Sequence, residues 1–431
     1  MKHLFLLTAA LFATPANAQT IAITGGMVAI GDGSVPARGT VVMRDGRIVA
    51  AGPSVGVPVG ASVIDATGKW VSTGIVAGFS RLGLVGVDAV DETNDAGGAK
   101  SVFSASIDVA SAINPRVPAI AVSRAAGVTR AIVAPDGGGT MFVGEGAVID
   151  TGNDADAVTK ARAFQFVEFG EAGAGRAGGS RVASQAFFRN ALDEARDYAR
   201  NPAAYDGRSK DSILMRRDVA ALVPVMQGKM PLYIHVESGP DILSMLALKK
   251  DYPALKMVLV GVAEGWTVAR QIAASGVPVI ASALNDLPAS FEQLAATQSN
   301  VGRMKAAGVT LAIGMIDDND TRQAQQTTQM AGNLVALTRV PGATGLSWGD
   351  AFAAITSKPA EIAGLGAEIG SLRPGRRADV VIWSGDPLEL ATAVEKVWID
   401  GVAQDLTTRQ TRLRDRYLKA SEGPLPKAYE R

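Results

Sequence analysis

Val71-Ser72-Thr73-Gly74-Ile75-Val76-Ala77-Gly78-Phe79-Ser80-Arg81-Leu82-Gly83 is the stretch on which the fold assignment turns. It is largely apolar, it is punctuated by glycines, and it joins two regions of different pattern. Before it, residues 20–72 read as short strands separated by turns. Residues 41–50 contain Asp45-Gly46, a pair that supplies the positive φ angles of a type I′ hairpin. The same arrangement recurs near the other end around Asp400-Gly401, preceded by an apolar run at residues 378–383. Two distant β segments with matching hairpins predict one small sandwich completed by both ends of the chain, from residues 19–72 and 366–408.

After Gly83 the pattern becomes an alternation of apolar strands and amphipathic helices. Residues 118–126 read as a helix with Pro118 suited to its first position. Strands follow at 127–134, 232–236, 257–262, 277–280 and 308–314, with helices between them and a closing helix at 347–364. This alternation argues for an α/β fold with a parallel sheet, and its length favours a (β/α)8 barrel over residues 73–365 rather than a doubly wound open sheet. Residues 150–217, rich in Ala, Gly and Arg, are expected to form helical excursions over the barrel mouth. Residues 409–431 read as a mixed-charge helix and tail, packed on the barrel or on a partner subunit.

Composition narrows the class. The 431 residues exceed one ordinary core, so two structural units are expected. The 42 basic and 42 acidic residues cancel, which gives no support for nucleic-acid or membrane-surface binding. Lys2, the apolar run from Leu4 to Ala13 and Ala16-Asn17-Ala18 have the form of a signal peptide over residues 1–18. The expected location is therefore a bacterial periplasm or the exterior. There are no cysteines, which excludes thiolate catalysis and Cys-ligated zinc.

The ordered motifs resemble the amidohydrolase superfamily, in the branch of the imidazolonepropionases and cyclic amidases. Residues 47–52 (RIVAAG) and 63–69 (VIDATGK) are similar to the family's "G-x-I-x-x-I-G … I-D-A-x-G-K" run. Residues 356–360 (TSKPA) and 370–379 (GSLRPGRRAD) are similar to "T-x-N-P-A … G-S-L-x-x-G-x-x-A-D". The resemblance implies a hydrolase barrel that holds one or two divalent metals at its mouth. Such a metal acts as a Lewis acid and lowers the pKa of bound water to ~7.

The ligand positions that the resemblance implies are largely altered in this chain. Phe79 and Arg81 stand where the family carries His-x-His, and Ile316 stands where it carries its eighth-strand Asp. Phe79 has no donor atom, and Arg81 would set a fixed positive charge against a cation. His235 matches the fifth-strand ligand and is the only histidine left once residues 1–18 are removed. A rebuilt site from Glu171, His235, Glu237, Glu264 and Asp317 would offer oxygen donors and one imidazole, a set that suits Mg, Mn or Ca better than zinc. In that case His235 and Asp317 are the catalytic candidates, with His235, Glu171 and Glu264 as ligands of a single divalent metal. Otherwise these acids pair with Arg81, Arg303 and Arg322, and no metal is held.

Two expectations follow. The first is an exported protein of this family with a degenerate metal site, which binds a small ligand at the barrel mouth or associates, as a homo- or hetero-oligomer, with a catalytically complete relative. The alternative is a hydrolase of non-peptide C–N bonds, cyclic amides among them, that uses the rebuilt carboxylate–His site. The Gly-rich loop at Pro135-Asp136-Gly137-Gly138-Gly139 lacks the Lys-Ser/Thr of a phosphate loop and is expected to line the mouth.

Overall fold

The computed structural model describes residues 20–87, 89–98, 100–137, 139–203, 212–316 and 323–418. Residues 1–18, expected to be a signal peptide, together with Gly138, Asp317, Arg322 and the tail 419–431, lie outside the described residues.

The leader folds into five strands, β1 (Thr20–Ala29), β2 (Ala37–Arg44), β3 (Arg47–Gly52), β4 (Ser62–Asp65) and β5 (Trp70–Thr73). The barrel strands follow as β6 (Ile75–Ser80), β7 (Val128–Val133), β8 (Phe142–Asp150), β9 (Val158–Glu168), β10 (Leu232–Val236), β11 (Met257–Gly261), β12 (Val279–Ala281) and β13 (Leu311–Ile313). The chain ends with β14 (Val380–Trp383), β15 (Val394–Ile399), β16 (Val402–Ala403) and a helix at Arg409–Leu418.

The outer strands form one sheet in the order β16-β15-β14-β5-β1-β2-β3, with β4 also paired to β1. The expected completion by both chain ends is visible in the antiparallel pairing of β5 with β14, where Ser72 faces Val381. β1 pairs with β4 through Ile21–Thr24 and with β5 through Met27–Ala29, on either side of an irregularity at Gly25-Gly26. The expected sandwich is thus a single forked sheet around a core that includes Ile23, Val41, Met43, Val71, Val380 and Trp398. Asp45, Gly46, Asp400 and Gly401 all have positive φ, as the two hairpins require.

The eight inner strands run in the order β6 to β13. The first and last also meet, because the Met315 amide donates to the Phe79 carbonyl at 3.1 Å. Helices surround them, so the architecture is the expected α/β barrel with a second sheet.

Some elements differ from expectation. The sheet is not wholly parallel: β8 runs antiparallel to both β7 and β9. The connection from β8 to β9 is too short for a helical crossover, and only a hairpin can join strands so closely. Residues 150–217 are not simply excursions over the mouth, because they contain β9, a full barrel strand. Its charged start (Lys160, Arg162) hides it, while its far half from Ala163 to Glu168 is buried. The closing helix is broken into Trp348–Ala353 and Ser357–Ile362. Thr356 lies between the two pieces with its hydroxyl bonded to the carbonyls of Gly31 and Phe352. The terminal helix Arg409–Leu418 buries none of its residues.

One buried ionic cluster joins barrel to outer sheet. Arg130 on β7 is fully buried and forms a two-pronged bond to Asp379, from Nε to Oδ2 at 2.8 Å and from Nη2 to Oδ1 at 3.0 Å. Its Nη2 also lies 2.9 Å from Asp400, and its Nη1 donates to Thr159. Asp400 is further held by Arg377. Burial works against the Asp400 charge, but bonds to Arg377 and Arg130 outweigh it and hold its carboxyl below the ordinary range.

Removing one partner of such a cluster strands the others in a dry site. Arg130→Met should therefore cost on the order of 3–5 kcal/mol of stability at pH 7, measured by urea unfolding. Because Asp400 has a lowered pKa in the folded protein, its stabilisation is present above the ordinary value of ~3.9 and lost as pH falls through the folded value. The deficit of the variant should therefore narrow on acidification through that range.

Candidate functional site

The C-terminal ends of barrel strands converge on one mouth, where active sites of this fold are built. Phe79 projects inward from β6, buried, with its ring 5.4 Å from that of Phe166 on β9. Arg81 follows β6; its side chain is 7% exposed, and its Nη2 lies 2.8 Å from Asp136 in the loop after β7. Ile316, after β13, is also buried. With Glu168, Ala172, Arg176 and His235 these residues enclose a cavity of about 280 Å3.

His235 is the centre of the charged wall. It ends β10 beside β9, in register with Glu168. Its Nδ1 lies 2.7 Å from Glu168 Oε2, and its Nε2 lies 2.8 Å from Glu237 Oε1. Ionised carboxylates only accept hydrogen bonds, so a carboxylate against each ring nitrogen favours a proton on both and hence the imidazolium form. Burial alone would favour the neutral ring. The charge of Glu168 and the bonds from Glu168 and Glu237 overcome that and raise the His235 pKa well above its ordinary value. The reciprocal effect acts on Glu168: burial would raise its pKa, but His235, Arg176 and Arg81 hold it below the ordinary range.

Glu237 is fixed on its other oxygen by the Ala263 amide at 2.6 Å. Gly261, at the end of β11, makes room for this arrangement. A Cβ there would lie 2.3 Å from Glu237 Oε1 and 2.8 Å from His235 Cδ2, and its φ of +87° already favours glycine.

The other candidate acids lie elsewhere. Glu171 belongs to the short helix Gly170–Arg176; its amide donates to Glu292 at 2.7 Å, and its carboxylate is 3.8 Å from Arg181. Glu168, three residues earlier at the strand end, occupies the place beside His235 instead. Side chains alternate between the faces of a strand, and on β9 the alternation brings Glu168 to the cavity, whereas Glu171, on the helix that follows, does not line it. Glu264 accepts hydrogen bonds from the amides of Gly239 at 3.0 Å and Ala295 at 2.9 Å, and so ties loops together rather than facing His235. Arg303 lies over the ring of Trp266 rather than on these acids. Asp317 lies outside the described residues. Arg176 was not singled out by the sequence, since nothing in an Ala/Gly-rich segment marks one arginine among several.

This donor set does not fit a divalent metal. A metal ligand must offer a lone pair toward the metal, and both nitrogens of His235 are already engaged with carboxylates. Phe79 and Ile316 offer no donor, and two guanidinium groups line the same cavity. Among the described residues no group of three or more His, Cys, Asp or Glu is placed to hold a metal ion.

Comparison with known proteins agrees with the fold. A model of the amidohydrolase family matches residues 299–403. The chain is 26% identical over 401 residues to amidohydrolase tasK of Hapsidospora irregularis, a match that covers 85% of this chain but only 39% of that protein. It is 25% identical over 390 residues to the imidazolonepropionase of Acidiphilium cryptum (strain JF-5), covering 82% of this chain and 89% of the relative. Among solved structures, an amidohydrolase from Thermotoga maritima MSB8 superposes with a TM-score of 0.78 at 24% identity, covering 89% of this chain and 99% of that one. Molinate hydrolase shares the fold with a TM-score of 0.53 at 18% identity, covering 90% of this chain and 95% of its own. With the ordered motifs at both ends and the barrel they frame, these similarities support membership of the amidohydrolase superfamily, although Phe79 and Arg81 stand where its paired histidines would lie on the first barrel strand.

Proposed function

We propose that this chain is an exported member of its superfamily that binds a small ligand at the barrel mouth without hydrolysing it, alone or beside a catalytically complete relative. The observation that carries this reading is the state of His235. The one imidazole in the site spends both nitrogens on Glu168 and Glu237, leaving neither a metal ligand nor a free general base. Arg81 and Phe79 supply charge and an apolar wall where the resemblance places metal ligands. Export rests on the features of residues 1–18.

A second reading is hydrolysis of a non-peptide C–N bond by a rebuilt carboxylate–His235 site. What favours it is that the similar proteins include an imidazolonepropionase and a molinate hydrolase. The two readings separate on metal content and on His235→Ala. The purified protein is expected to contain well below one equivalent of transition metal, by elemental analysis. A tightly held stoichiometric metal, lost together with an amidase activity in His235→Ala, would establish the second reading instead.

The protonation state is testable by itself. Nitrogen-15 NMR of the His235 ring should show both nitrogens protonated at pH 7.5, and a neutral-ring spectrum would remove the basis of the first reading. Stability gives the sign independently. A histidine with a raised folded pKa contributes fully below its ordinary value of ~6.5 and loses that contribution as pH rises through the folded value. Glu168, lowered, contributes above ~4.3 and loses it on further acidification. His235→Gln should therefore be most destabilising between those limits, by ~3 kcal/mol as for a broken buried ion pair. The gap should shrink at alkaline pH, followed by urea unfolding.

A further inference from the structure

The cavity at the mouth holds three cationic groups, and they are not equally committed. Arg81 is paired with Asp136 at 2.8 Å, and His235 is clamped between Glu168 and Glu237. Arg176, at the end of the helix Gly170–Arg176, differs: its Nη1 is buried with no hydrogen-bond partner. A buried guanidinium N–H left unpaired costs free energy that a bound acceptor would recover. The carboxylates of Glu168 and Asp136 line the same cavity, but neither is within hydrogen-bonding geometry of this Nη1.

Arg176 is also held in place. Its guanidinium lies against Gly137, where a Cβ would fall 2.0 Å from Nη2, so the Gly-rich loop is cut away to seat it. Besides the carboxylates Glu168 and Asp136, which are engaged with His235 and Arg81, the rest of the wall is apolar: the rings of Phe79 and Phe166, with Ile316 and Ala172. A volume of about 280 Å3 limits the occupant to a small molecule.

We propose that this cavity binds a small monocarboxylate with a planar or branched apolar body, its carboxylate received by Arg176 and its body against Phe79, Phe166 and Ile316. The guanidinium fork matches a carboxylate in two-point geometry, which an amide or alcohol cannot reproduce. The inference rests on the ligand-binding reading above and gives that ligand a charge and a shape.

The test uses the full mature chain and two matched probes, phenylacetate and the neutral phenylacetamide, with binding followed by calorimetry. Phenylacetate is expected to bind with a Kd of about 1 mM or tighter, and phenylacetamide at least about tenfold more weakly. Arg176→Gln should weaken phenylacetate by about tenfold or more and leave phenylacetamide unchanged, while Arg176→Lys, which keeps the charge without the fork, should fall between. Equal binding of the two probes, or unchanged phenylacetate affinity in folded Arg176→Gln, would overturn the charge assignment and leave the ligand-binding reading standing. Absence of phenylacetate binding to the wild type would overturn the inference outright. Conversion of phenylacetamide to phenylacetate and ammonia would instead bring down the non-hydrolytic reading, whichever probe binds more tightly.

Discussion

The guanidinium of Arg130 ties the two halves of the molecule together. It leaves a barrel strand, enters the seam with the outer sheet and is gripped there by Asp379 and Asp400. Around it the seam is continued by the Gly74 amide on the Asp379 carbonyl and the Asp400 amide on the Asp379 carboxylate. The acid of the Ala-Asp signature near the C-terminus thus has a mechanical reason to be there: it neutralises a charge that no water reaches. Ion pairs of this kind add little net stability over an apolar replacement, yet they penalise any other docking of the two parts.

At the mouth the same pairing of buried charges recurs. Three cations (Arg81, Arg176, His235) face three carboxylates (Asp136, Glu168, Glu237), and the set is close to neutral. A divalent ion entering this array would have to displace a proton from His235 and lie beside two guanidiniums. Neutralisation of the acids by Arg and imidazolium removes the charge that would otherwise draw such an ion in. The substitutions at Phe79, Arg81 and Ile316 therefore act as one change, in which an internal salt network stands where ligand atoms would be needed.

Much of this was legible in the sequence because it rests on local signals. The hairpins announced themselves through Asp-Gly pairs, β11 through an unbroken apolar run, and β7 and β10 through runs that are mostly apolar. His235 stood out because one histidine at a strand end is easily counted. What escaped depended on distance in the chain. Arg130 looks like any charged residue until Asp379 is folded against it, and Glu168 gains its role only when β9 is laid beside β10. β9 itself was obscured by a charged outer half, and the reversal of β8 follows from a short turn whose geometry no periodicity reveals. Glu171 and Glu264 were plausible by type and were excluded only by where their backbones point.

The pairing of β5 with β14 has a consequence for how the molecule comes into being. Thr73 and Val380 are neighbours in the sheet but lie at opposite ends of the chain order, with the whole barrel between them. The leader strands cannot close their sheet until the last part of the polypeptide has emerged, and until then the free edge of β5 offers unpaired backbone to any other strand. Folding of so non-local a seam is slow, and its intermediates are open to aggregation. A chain delivered unfolded across a membrane, as residues 1–18 would imply, meets this delay after it arrives. Handling by chaperones there, more than the depth of its core, would then govern its yield.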